Sequence, residues 1–366
     1  MISFTPSDEQ QQLVEVIRRY AKNDLHAAAH AADESDHLPA ALIAAGWEIG
    51  VIAGAIPEEL GGLGAWDALT GVLAYEAFGY GDLAAALHVL TPALFALPLV
   101  WYGTAEQRAG YAPRFLDAAL PRVTSALLEP GVLFDPRALR TTATRDGDSV
   151  ILDGEKAVVP LAATAETLLV YARDTVSGRI DAFIVDAGTA GVQIGARESL
   201  MGVRALPSYR VTFNGTRIPL ENTLGGAVGI DYDAILARGR LALAALAVGV
   251  AAAAFDYARD YAKGRVQFGV PIAQKQAVAF MLADMAIEVD AARLMVWEAA
   301  WQFDTDGADA ARAAYLAKEY ADNAAMQVTD SAVQVLGGYG FIREYPVERY
   351  LRNARGFAAL EGLALV

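Results

Sequence analysis

"QVLGGYGFIREYPVERYLRNAR", residues 334–355, decides how the rest of the chain is read. Its opening, QVLGGYG, sets a glycine pair after a helical stretch. Such a pair reads first as a helix C-cap, because glycine accepts left-handed dihedrals. It is also a place where backbone approaches a phosphate closely, with Gln334 donating a side-chain amide. The chain has no dinucleotide fingerprint and no Walker loop, so the usual phosphate motifs are absent.

Working upstream, three long helical stretches lead into it, 229–265, 272–304 and 308–336, broken by GRVQFGVP, DTDG and LGGYG. Long helices with short links pack as an antiparallel bundle. The longest apolar run, LALAALAVGVAAAAF, spans 241–255. It falls short of the ~20 residues a bilayer needs and reads as a buried helix. Residues 1–120 are also helical in texture. Thr5-Pro6-Ser7-Asp8 predicts a helix start with a Thr N-cap, and Leu13, Val16, Ile17 and Tyr20 share a face. IPEELGGLG (56–64) is a turn-rich break, after which WDALTGVLAYEAFGYGD resumes the helical spacing. Between 121 and 225 the texture changes. ATRDGDSVILDGEKAVV carries two DG signals around an apolar run, which suggests a hairpin; TLLVYAR, AFIVDA, GVQIGA and YRVTFNG are strand-like.

Composition narrows the chemistry. The 366 residues are 55% hydrophobic, enough for two or three packed domains. With no cysteine, disulfides, thiolate metal sites and Cys nucleophiles are excluded, and a reducing, cytoplasmic setting is expected. The four histidines all lie at or before residue 88, which disfavours a Ser-His-Asp triad. A net charge of −15 disfavours a nucleic-acid partner. The polar, acidic start MISFTPSDEQQQ is unlike a signal peptide, and no membrane insertion is expected. Three charged residues stand out. Arg265 reads as a surface cation at a helix end, or as a phosphate clamp. Arg240 heads the most apolar helix, where it opposes the dipole and is either solvated or paired with an anion. Glu361, in FAALEGLALV, reads as a solvated carboxylate on a fraying tail or, given its uncharged neighbours, as a group suited to proton transfer.

Taken in order, IPEELGGLG, LDGEKAVV, MGVR, GRVQFGVPI and QVLGGYGFIREYPVERYLRNAR resemble the acyl-CoA dehydrogenases nearly end to end. The resemblance implies a mainly α fold with a central β-domain: an N-terminal helical domain (1–120), a middle β-barrel-like domain (121–225) and a C-terminal four-helix bundle (226–366). It implies FAD, no metal, and α,β-desaturation of an acyl thioester. Glu361 matches the catalytic base that removes the α-proton while a hydride leaves the β-carbon for flavin N5. Arg240 matches an arginine near that base. Arg265, Phe268 and Gln276 match the segment that grips FAD from a neighbouring subunit, and Gln334, Gly337 and Gly338 the segment along its adenine half. Leu128, Glu129, Val158, Val159 and Pro160 match positions beside the flavin, and Phe134 a position near substrate.

This sequence departs from the family pattern at several of these positions. Leu128 replaces a usual Thr, Phe134 a usual Ser, and Val158-Val159-Pro160 a usual aromatic and threonine; after Glu361 the chain reads Gly362-Leu363-Ala364. The implied partners are an acyl-CoA or acyl-carrier thioester, electron-transferring flavoprotein as acceptor, and further copies of the chain in a dimer or tetramer. Two alternatives stay open: a subunit of a heteromeric acyl-CoA dehydrogenase that is not self-sufficient, and a flavoenzyme of the same fold acting on a carrier-bound acyl group.

Overall fold

A computed structural model describes residues 5–64 and 66–366. Among them, eight helices precede the first strand: α1 (Asp8–Tyr20), α2 (His26–Ser35), α3 (Ala40–Glu48), α4 (Val51–Ala55), α5 (Ala68–Gly81), α6 (Leu83–Leu90), α7 (Ala93–Tyr102) and α8 (Ala105–Tyr111). The first helix starts later than the Thr5-Pro6 signal predicts. Ser7 is its N-cap: its hydroxyl accepts from the Gln10 N–H at 3.2 Å, and Gln10 Oε1 accepts from the Ser7 N–H at 2.9 Å. This reciprocal box satisfies two donors at once, which a Thr5 cap without Gln or Glu three residues on would not do.

Seven strands follow: β1 (Val123–Ala126), β2 (Thr142–Asp146), β3 (Ser149–Pro160), β4 (Thr167–Asp174), β5 (Ile180–Asp186), β6 (Val192–Arg197) and β7 (Ser208–Pro219). They form one sheet in the order β1-β4-β2-β3-β7-β6, with β5 on the other edge of β4. The first DG signal makes the β2–β3 hairpin, pairing Asp146 with Ser149. The second is not a turn. At Asp153-Gly154 the long strand β3 runs straight through, and the register shifts there because β7 carries an extra residue at Asn214-Gly215 opposite it. A Cβ on Gly154 would come within 2.6 Å of Thr141 Cα, so that glycine permits a close approach rather than a reversal. Strand β1 carries no alternating pattern, because all four of its residues are buried; it pairs in parallel with β4, Val123 opposite Thr167.

The bundle comprises α9 (Tyr232–Gly264), α10 (Gln276–Asp304) and α11 (Ala310–Leu336), within a few residues of the three expected stretches, and the shorter α12 (Val347–Gly356). Its axis is α9, whose run 241–255 is almost wholly buried. The stretch Leu83–Tyr102 and helix α9 are long and apolar enough to cross a membrane, but 89% and 78% of their apolar windows are already buried inside the fold. Helix α5 packs directly on α9. A Cβ on Gly249 would lie 2.2 Å from the Glu76 carbonyl oxygen, so only glycine allows this crossing. One apolar core therefore runs through the N-terminal helices and the bundle, and a second lies within the sheet.

Candidate active site

Glu361 follows the short turn Phe357–Ala359. It is no frayed end: Leu363, Ala364, Leu365 and Val366 are all buried. Arg240 reaches it from α9, Nε donating to Glu361 Oε1 at 3.0 Å, with the two side chains 13% and 19% exposed. Arg240 lies more than two turns inside α9, so it does not head the helix or oppose its dipole as expected; it does have its anion, and the solvated reading fails. The Tyr315 ring centroid lies 5.3 Å from the guanidinium carbon, within cation–π reach.

Helix α11 supports the turn that presents Glu361. Buried Lys318 donates from Nζ to the Phe357 carbonyl at 3.0 Å and pairs with Asp322 one turn on. Burial pushes the Asp322 carboxyl above its ordinary range; Lys318 opposes this, while the Glu361 charge adds to it. Tyr232, at the start of α9, donates its hydroxyl to the Pro136 carbonyl at 2.7 Å. Burial raises its phenol, with Tyr171 and then Glu361 adding to the effect. Sequence reasoning did not single out Tyr232, Tyr315, Lys318 or Asp322. The one signal available was that 315, 318 and 322 share a helix face.

The stretch expected beside the flavin ring is built around a buried ion pair. Lys156, fully buried, donates from Nζ to Leu127 O and to Glu129 Oε1, both at 3.0 Å. Glu129 also accepts the N–H groups of Arg140 and Thr141 at 2.7 and 2.8 Å. Burial drives the Lys156 ammonium down to about 8 although Glu129 opposes it. Burial alone would raise the Glu129 carboxyl, but Lys156 and the Arg140 and Thr141 donors hold it below its usual range. Glu129 is therefore spent on the fold, and Val159, 1% exposed, points into the sheet core. Both side chains are committed within the fold. A bulge at Ala157-Val158, where Val158 has φ +52, turns Val159 inward, and the lysine partner explains Glu129.

Main-chain donors on this stretch are also consumed. Ala157 N–H donates to Leu128 O at 2.9 Å, Val158 N–H to Glu198 Oε2 at 2.6 Å and Leu161 N–H to Pro207 O at 2.7 Å; Pro160 has no N–H. The Leu128 side chain is buried and Phe134 is half-buried against the helical core.

At the far end of α9 the structure brings Arg265, Gly337 and Gly338 together around an open cleft of about 460 Å³ that Gln267 and Tyr339 also line. Gly337 has φ +59, and no atom lies within 4 Å of where a Cβ would stand on either glycine. The Arg265 guanidinium lies over the Tyr339 ring at 5.4 Å. Gln334 is exposed on the last turn of α11, and Gln276 is exposed at the start of α10. Phe268 is 92% exposed, with the Lys275 ammonium 5.8 Å from its ring. A fixed cation, an aromatic face and a side-chain-free path suit the pyrophosphate and adenine half of FAD. From Arg240 to the end of α9 the helix rises roughly 36 Å. The two clusters are thus farther apart than one dinucleotide reaches.

Comparison with known proteins identifies the three domains along the chain. Residues 7–119 match the acyl-CoA dehydrogenase N-terminal domain, 124–216 the middle domain and 232–364 the C-terminal domain. The chain belongs to the acyl-CoA dehydrogenase family, oxidoreductases that use FAD. It is 35% identical to the short-chain specific acyl-CoA dehydrogenase of Bos taurus mitochondria, over 96% of this chain and 86% of that one. It superimposes on butyryl-CoA dehydrogenase from Megasphaera elsdenii with a TM-score of 0.89, at 30% identity over 100% of this chain and 96% of that one. A chain from a structure of the electron transferring flavoprotein of Acidaminococcus fermentans gives a TM-score of 0.90 at 34% identity, covering 99% of this chain and 96% of that one.

Proposed function

We propose that this chain desaturates a short acyl thioester of CoA, with Glu361 as the base that takes the α-proton. The observation that carries the reading is the Arg240–Glu361 pair, half-sheltered on a clamped turn beside the middle domain. Gly362 abuts Leu127: a Cβ there would sit 3.0 Å from Leu127 Cβ, so the turn faces the stretch expected to meet the flavin. Bound FAD supplies the acceptor for the β-hydride. Glu361 ends the step protonated and the acyl group becomes the 2-enoyl thioester. Arg240 fixes the carboxylate beforehand. Its attraction falls once the proton arrives, and the Tyr315 ring retains the guanidinium in place. The short-chain assignment rests on the relatives above and on the small size, about 20 Å³, of the cavity that Gly362 helps to line.

Two features support a homo-oligomer. The Arg265 cleft is too far from the Glu361 of its own chain to serve the same cofactor, so it would serve another copy's site. In addition, α10 presents Phe280, Ile287 and Leu294, one face at seven-residue spacing and 45–63% exposed. Light scattering on the purified protein tests this; a monomer with full FAD would oppose it. Electron-transferring flavoprotein is the acceptor this reading expects, in keeping with the neighbour seen in that setting.

A second reading is favoured by the consumed N–H groups at Ala157, Val158 and Leu161 and by Pro160. Under it, the chain holds flavin weakly by itself and works beside a partner subunit. The visible spectrum of the homogeneous protein separates the two. One FAD per chain, bleached by butyryl-CoA, supports the first; a colourless protein that FAD does not reconstitute supports the second.

A further inference from the structure

Directly after Glu361 the chain turns inward. Leu363–Val366 lies between α5, α7 and α9 and is almost fully buried. Its main chain is tied down by side chains on two helices. Tyr75 of α5 donates its hydroxyl to the Leu365 carbonyl at 2.6 Å, and Arg238 of α9 donates from Nη1 to the Val366 carbonyl at 3.2 Å. Contact is close enough that a Cβ on Gly71 would fall 2.0 Å from Val366 Cγ2.

Two cavities flank this segment. The first adjoins the Glu361 turn, with Leu94, Leu127, Ile235, Gly239 and Gly362 among its walls, and holds only about 20 Å³, room for one water. The second, walled by Ile52, Tyr75, Leu97, Trp101 and Arg238, holds about 160 Å³, enough for a benzene-sized group. Leu365 lines both.

We propose that Leu365 sets the acyl-length limit of this enzyme, its side chain being the partition between the slot beside Glu361 and the larger chamber at Trp101. The inference rests on Glu361 being the base, because Gly362, the next residue, forms part of the slot's wall and an acyl chain held at Glu361 would then enter the slot. A chain entering from there meets walls that are apolar apart from Ser125 and Tyr171, and stops at Leu365. The tethers from Tyr75 and Arg238 act on main-chain oxygens, so Leu365→Ala removes the partition while leaving the segment held. Each methylene that then gains burial in the chamber tightens binding roughly fourfold.

The test compares wild type and Leu365→Ala, both FAD-loaded, with butyryl-, octanoyl- and dodecanoyl-CoA and a dye acceptor. The octanoyl-to-butyryl ratio of kcat/KM is expected to rise at least tenfold in the variant, with the butyryl value within threefold of wild type. An unchanged ratio, or a parallel fall for all lengths, overturns the proposal. In a parallel arm, the unreactive thioethers butyl-CoA and octyl-CoA are titrated by calorimetry. If wild type oxidises no thioester, the reading of Glu361 fails, yet the partition is still tested: octyl-CoA must bind the variant at least tenfold more tightly than wild type, or the proposal is wrong. Leu365→Val, a smaller truncation, covers the case in which the alanine variant does not fold. It must shift the same ratio in the same direction by a smaller factor, and no shift counts against the partition.

Discussion

Replacing Lys156 by methionine is the sharpest probe of how the middle domain is held next to the site. The methionine fills similar space but leaves Glu129, whose side chain is 2% exposed, with only the exposed Arg140 guanidinium, 3.5 Å away, as a cation. The carboxylate keeps two main-chain donors, from Arg140 and Thr141, and the Leu127 carbonyl loses the donor at 3.0 Å. Breaking one side of a buried pair costs about 3–5 kcal/mol, and the remaining N–H donors place this case towards the lower end. The deficit depends on pH with a definite sign. Once Lys156 is gone, burial dominates and the folded-state pKa of Glu129 rises above its unfolded value. The group then costs little below the unfolded carboxylate pKa, and stability is lost as pH rises through the higher folded one. Urea unfolding followed by circular dichroism at pH 5 and pH 8 measures this. The variant should lose about 3 kcal/mol at pH 8 and clearly less at pH 5. A loss below about 1 kcal/mol at pH 8, or a larger loss at pH 5, would show that the pair is not the strut described.

Arg240→Gln should lower kcat by about a hundredfold with a much smaller change in KM, since it misplaces the carboxylate without removing it; stopped-flow reduction with butyryl-CoA gives both constants. Arg265→Gln should weaken FAD about ten- to a hundredfold, the worth of one hydrogen bond to a charged group, and flavin released on dilution reports it. If Arg265 serves another copy's site, flavin loss and dissociation of the oligomer should occur together.

Much of the fold was legible because helical spacing persists over long stretches. The 229–265, 272–304 and 308–336 expectations coincide closely with α9, α10 and α11. What failed was local punctuation. Ser7 took the cap from Thr5 because Gln10 answers it, and the glycine of the Asp153-Gly154 signal serves the close approach of Thr141 within a continuous strand rather than a turn. β1 was missed because a strand buried on both faces shows no alternation. In the site, resemblance pointed to Glu361 and Arg240, and the structure joins them across 121 residues. Nothing in the sequence says that Lys318 holds the Phe357 turn, that Glu129 belongs to Lys156, or that GLALV folds inward. Each depends on contacts between distant elements, which one-dimensional spacing does not encode.

The central claim is that Glu361 takes the α-proton, and Glu361→Gln tests it most directly. The amide is nearly isosteric and can still accept from Arg240, so folding and FAD content should match wild type. Mixed anaerobically with butyryl-CoA, the variant should reduce its flavin at least a hundredfold more slowly than wild type, the usual contribution of a positioned general base. It should also fail to exchange the α-protons of a thioester into deuterium oxide. Flavin bleaching within threefold of the wild-type rate, in a variant with full FAD, would contradict the account and place the base elsewhere.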